Sequence, residues 1–205
     1  MAHRSHPPGF SLIEVIVALA ILLILAAVAL PTLSATVDQA RIDTTAAQLQ
    51  AVRNGLYDPA SNGHAFFQEV GANAGRLSEL SSVIVANNAN YATGTDDSCG
   101  RSFRTSEVNR WIANGPFVNF NIDRNTGLAT AIGNAADSLT RIPNDDDPGV
   151  LRINFINSVD VQDAKRLDAT IDGANGASSG AVQWLAPAAD GVVTMYYFIP
   201  INDEC

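Results

Sequence analysis

Lysine is almost missing from this chain: of its 205 residues only Lys165 is one, and the formal net charge is −9. Such an acidic balance argues against general binding to nucleic acid or to anionic lipid. Cysteine is scarce as well. Cys99 and Cys205 stand far apart with no C-x-x-C pair, which excludes a local redox motif, and two cysteines make no zinc site. Histidine is confined to His3, His6 and His64; His64 falls among turn residues and is expected at the surface. No G-x-S-x-G elbow occurs. No catalytic residue, cofactor or metal ligand is therefore expected.

Acidic residues gather in three turn-like stretches. Asp145-Asp146-Asp147 precedes Pro148-Gly149, and Asp96-Asp97 lies in a polar segment. Asp123-x-Asn125-x-Gly127 begins like a calcium loop but lacks the spacing and the closing glutamate. All three are expected to be solvated acidic turns. A small cluster of Arg101, Arg104 and Arg110 with Phe103 and Trp111 is too slight for nucleic acid. Its arginines are expected to pair with acidic patches on neighbouring subunits.

What the chain does have is a long apolar run. From Phe10 to Leu30 every residue except Ser11 and Glu14 is apolar. Such a run is long enough to cross a bilayer core of ~30 Å. A carboxylate within it is costly unless it finds a partner, so Glu14 is a functional candidate by default. Before the run, residues 1–9 carry Arg4, two histidines and two prolines and end in Gly9. A positive leader holds the N-terminus inside and sends the rest outward. An ordinary secretory signal cut near Ala35, or an uncleaved membrane anchor, would also place an apolar run here. Neither accounts for Gly9-Phe10, Glu14 and Pro31 together.

Those four residues resemble the prepilin signal of type IV pilins and the related pseudopilins. The likeness is close from Gly9 to about Leu33. One departure is that Pro7 and Pro8 stand where the family usually places Lys or Arg. The resemblance implies cleavage between Gly9 and Phe10, N-methylation of Phe10 by the same prepilin peptidase, and a helix kinked at Pro31. Glu14 of one subunit would meet the free amine of its neighbour's Phe10, each charge relieving the other in low dielectric. If the domain is exported, its two cysteines face an oxidising compartment; two free buried thiols are the alternative. Pilins commonly close their C-terminal region with a disulfide, and Cys99 with Cys205 is similar to that clamp. Implied partners are copies of itself or sibling pilins, the prepilin peptidase, and the inner-membrane platform with its assembly ATPase. The subunit would sit in the inner membrane with its head in the periplasm, then in a surface pilus or periplasmic pseudopilus. A minor pseudopilin of type II secretion is one alternative. A membrane-anchored periplasmic enzyme or binding domain is another.

The expected architecture is α+β: a long N-terminal helix packed on a mostly antiparallel sheet of four or five strands. The helix should run from about Phe10 to Tyr57, membrane-spanning over about 10–31. Beyond Pro31 it becomes amphipathic, with Ile42, Ala46, Leu49, Val52 and Leu56 on one stripe and Asp38, Arg41, Asp43, Gln48 and Arg53 elsewhere. Asp58-Pro59 and Ser61-Asn62-Gly63 end it, and residues 58–205 form the head, closed by the bridge over 99–205. Within the head we expect short helices over 75–85 and 105–111. A strand over 116–122 should turn at 123–127 into a partner over 128–132, followed by a strand over 150–156. A helix over 161–171 and a loop over 172–180 precede a hairpin of 181–185 with 192–199. The stretch Lys165-Arg166-Leu167-Asp168, Ile171-Asp172-Gly173 and Gly180 also resembles pilin-like heads, where a short helix and an acidic turn precede the last hairpin.

Overall fold

The computed structural model describes residues 11–57, 65–84, 97–144, 147–156, 159–187 and 190–201. It divides into two compact units, Met1–Ala40 and Arg41–Cys205. Helix α1, Leu12–Tyr57, runs through the boundary between them. Leucine and alanine, both strong helix formers, recur along it. It continues through Pro31, whose missing N–H removes one backbone hydrogen bond from the ladder.

The second unit is α+β, as expected. After α1 come α2 (Phe66–Val70), a 3₁₀ turn (Leu77–Leu80), α3 (Thr105–Asn114), β1 (Leu128–Ala129), β2 (Asn134–Asn144) and β3 (Asp147–Phe155). Then follow β4 (Val159–Asp160), α4 (Val161–Ile171), β5 (Val182–Trp184), β6 (Val192–Val193) and β7 (Met195–Pro200). Among the described residues the main sheet has five strands in the order β1-β2-β3-β7-β5, and β4 pairs with β6 separately. Every pairing is antiparallel.

Alternation sets the inner face. Leu151, Ile153 and Phe155 of β3 are buried, as are Met195, Tyr197 and Ile199 of β7, because successive side chains of a strand point to opposite sides. They share one core with the α1 stripe, where Ile42, Ala46, Leu49, Val52 and Leu56 are each no more than 3% exposed. Phe66 meets Phe117 and Phe103 edge-on at 5.3 and 6.3 Å, and Trp111 meets Phe117 at 6.1 Å. Polar contacts secure the helix to a loop of the sheet: the Arg41 guanidinium donates twice to the carbonyl of Ala131, at 2.8 and 3.0 Å.

Several expectations are corrected. Residues 116–122 are not a strand. Phe117 and Val118 both turn inward, and both backbone N–H groups donate to the carbonyl of Leu80, at 2.7 and 3.4 Å. What brings this segment to α1 is Gly55: a Cβ there would lie 2.8 Å from the Phe117 carbonyl oxygen and 3.1 Å from Val118 Cγ1. The expected partner over 128–132 shrinks to Leu128–Ala129 and pairs with Asn134 and Ala135 of β2. The helix over 75–85 is only the 3₁₀ turn, because Arg76 bridges to Ser138 and the Gly75 carbonyl accepts from Leu139 N–H at 3.0 Å. The strand over 192–199 breaks into β6 and β7, which serve different sheets. Helix α4 matches its expected bounds; its N-cap Asp160 accepts from Gln162 N–H, and Lys165 stands exposed on it.

Candidate functional site

The first unit presents an apolar surface with one acid. Leu12, Ile13, Val15, Ile16, Val17, Leu19 and each large aliphatic residue on to Leu25 are exposed, Leu12 at 78% and Leu23 at 71%. Contiguous apolar exposure on this scale marks a surface that something else covers. Glu14 lines one shallow face of the helix with Ile13, Val17, Ala18 and Ile21, as the i, i+3, i+4, i+7 spacing requires. Its Oε2 accepts the backbone N–H of Ser11 at 2.9 Å. The carboxylate thus satisfies one of the N–H groups that a helix start leaves without an intrahelical acceptor. Gly9 and Phe10 lie outside the described residues. Among the described residues no helix is long and apolar enough to cross a membrane; described side chains of the run stop at Ala27 and resume at Leu33.

In the second unit the charged residues are built into the fold. Arg101 pairs with Asp97 at 3.2 Å and with Glu107 at 2.9 Å, and hydrogen bonding to Glu107 raises its pKa above the usual value. This overturns, for Arg101, the expected pairing with a neighbouring subunit. Asp97 is buried, not solvated, because it also accepts the N–H groups of Cys99 and Arg101. Glu107 caps α3 by accepting Arg104 N–H at 2.7 Å. Asp123 closes its turn on Asn125 and Thr126 N–H, each at 2.8 Å, and those bonds hold its carboxyl below the ordinary range. Asp96, Asp145, Asp146, His64 and Cys205 lie outside the described residues. Among the described residues no group of three or more His, Cys, Asp or Glu is placed to hold a metal ion, and no cysteine is a free thiol.

Two acid clusters stand within the second unit; the sequence singled out the second and missed the first. Glu79 is 3% exposed; its Oε2 accepts from Gly75 and Arg76 N–H at 2.8 and 3.2 Å. Burial pushes its pKa up to about 8, and nearby Asp137 adds to the rise. The Arg76 guanidinium that could oppose this is directed to Asp137, at 3.3 Å. The only signal was the three-residue spacing from Arg76 to Glu79, which is that of a capping acid. The second cluster is the acidic turn after α4. Asp172 Oδ2 accepts from Ala181 and Val182 N–H, fastening the start of β5, and Asp168 Oδ2 accepts from Gly176 N–H at 3.1 Å. Burial, then the neighbouring Asp172, raises the Asp168 carboxyl above its usual range. Gly180 has φ +81°, and a Cβ there would collide with Asp172 Oδ2. The acidic turn therefore organises the last hairpin.

Residues 5–30 match the family model of the prokaryotic N-terminal methylation motif. No curated protein and no solved structure matches the chain. The motif covers Gly9, Phe10, Glu14 and most of the exposed apolar face. The chain bears, over those residues, the prepilin-type signature of type IV pilins and pseudopilins.

Proposed function

We propose that the chain is a structural subunit of a type IV pilus-like filament, cut after Gly9, N-methylated on Phe10 and polymerised through α1. The observation that carries this is the unbroken apolar exposure from Leu12 to Leu25 around a single carboxylate. Lipid covers that surface while the subunit waits in the inner membrane; the α1 helices of neighbouring copies or sibling subunits cover it in the filament. Glu14 then exchanges the N–H of its own Ser11 for the α-amine of a neighbour's Phe10. A charged pair satisfies the acid better than a neutral donor in low dielectric, and that contact fixes the axial register. The prepilin peptidase, the inner-membrane platform and its ATPase are the remaining partners.

We further propose that the head is closed by a Cys99–Cys205 bridge. Support comes from the lack of a free thiol among the described residues and from the sequence holding one other cysteine. The intact mass and N-terminal sequence of the membrane-bound protein test both statements. A start at methylated Phe10, two hydrogens short of the reduced mass, is expected; a start near Ala35 or a retained leader refutes the assignment. Glu14→Ala should reach the membrane at normal level yet give no sheared filaments. Filaments at normal yield would show that Glu14 does not set assembly.

A further inference from the structure

The outer face of the main sheet carries chemistry that the filament does not use. Because Leu151, Ile153 and Phe155 point inward, Arg152 and Asn154 of β3 lie on the opposite face. There Arg152 is in register with Phe198, and Asn154 with Tyr196, which is in turn in register with Gln183 of β5. Arg152, Ser178, Gln183, Trp184, Tyr196 and Phe198 line a cleft of about 300 Å³, the lower end of the range for small-molecule sites.

Arg152 differs from the arginines that are held in ion pairs. Arg41, Arg76, Arg101 and Arg166 each pair with a carboxylate. The Arg152 guanidinium instead lies over the Tyr196 ring, its Cζ 5.1 Å from the centroid. Its Nε is buried with no hydrogen-bond partner, as is Asn154 Oδ1 two residues along. An unpaired guanidinium beside an orphaned acceptor is costly in a folded chain, and more so to leave unmatched in one this acidic. Gln183 supplies an acceptor to the cleft: its Nε2 donates to the Gly180 carbonyl at 3.0 Å, which leaves Oε1 toward hydroxyl or N–H donors.

We propose that this cleft binds an acidic saccharide unit. The guanidinium fork matches a planar carboxylate. Gln183 Oε1 takes a hydroxyl, and the Tyr196 and Phe198 rings cover the apolar face of a sugar ring. A carboxylate from a neighbouring subunit would satisfy Arg152 alone and leave the Gln183 acceptor unmatched. A phosphate would want a second cation or a nest of backbone N–H groups, and the cleft lining supplies one cation. The site lies wholly within the second unit, so it stands or falls independently of processing and polymerisation.

The test is saturation-transfer NMR on the full-length chain in detergent micelles, with methyl β-D-glucuronide and methyl β-D-glucoside as probes. They differ only in a carboxylate against a hydroxymethyl group. The glucuronide is expected to bind, with contact to the Tyr196 and Phe198 rings, and the glucoside to bind about tenfold more weakly or not at all. Arg152→Met should weaken the glucuronide by about tenfold, and Gln183→Ala by a few-fold. No binding at tens of millimolar, equal binding of both probes, or full affinity in Arg152→Met overturns the proposal. Acetate binding as tightly as the glucuronide also overturns it, since the carboxylate alone would then be the ligand. Should Arg152→Met fail to fold, Arg152→Lys keeps the charge and loses the fork; unchanged affinity there refutes the bidentate contact.

Discussion

Glu79→Gln should turn a pH-dependent protein into a flatter one. Glu79 has a pKa of about 8 in the fold, against 4.5 for the ordinary side chain. Between those values the folded chain holds a proton that the unfolded chain has released. Stability is therefore full below about pH 4.5 and falls as pH rises towards 8, by about 1.4 kcal/mol per pH unit. From pH 5.5 to 8 the Glu79 contribution falls by about 3 kcal/mol. Glutamine keeps the length and an oxygen for the Gly75 and Arg76 N–H groups but cannot ionise. Asp168, raised as well, loses stability in the same direction, and Asp123, lowered, loses it as pH falls; both cancel between variant and parent. The assay is urea unfolding at several pH values, followed by the fluorescence of Trp111 and Trp184. Trp111 reports locally, since its Nε1 donates to the Glu79 carbonyl at 2.6 Å. The stability difference, variant minus parent, should grow by about 3 kcal/mol across that range. Parallel curves would refute the reasoning: Glu79 would then be ionised throughout, its two N–H donors offsetting the burial.

Gly55→Ala improves helix propensity by about 1 kcal/mol, yet its methyl meets the Phe117 carbonyl, so thermal unfolding should show a net loss of about 1–3 kcal/mol; a stabilised protein would mean the segment can retreat. Asp172→Ala frees the N–H groups of Ala181 and Val182 and should cost about 2 kcal/mol, with hydrogen exchange rising first in β5; unchanged protection there would remove the acidic turn as the organiser of the hairpin.

Local periodicity was legible and long-range polar contact was not. The α1 stripe showed in the sequence because burial on one face of a helix repeats every three or four residues. Helix α4 showed because Asp160 and the apolar spacing after it mark a start that no distant residue contests. Residues 116–122 alternate like a strand, but Gly55 opens a slot that takes Phe117 and Val118 together, and the Leu80 carbonyl holds the backbone there. Strand β2 was missed because Asn134–Asn144 carries Asp137 and Pro143 and little alternation. It pairs through a bulged register, and Asp137 accepts from Ser78 N–H at 2.6 Å, 59 residues away in the chain. Glu14 became a candidate because a carboxylate in an apolar run needs a reason; its part in assembly is the proposal above. Arg152 did not, since an arginine on a strand means nothing until its neighbours on the sheet are known.

The lone lysine sits in a place that makes the chain its own clock. Lys165 is exposed, but the helix around it is pinned by the buried Ala164, Leu167 and Asp168. A protease that cuts only after lysine has a single bond to attack, and it must first unwind α4 to accommodate that bond in its active site. Each cleavage then counts one opening event of the head. In a filament the same count would compare assembled with free subunits, with no label and no engineered residue.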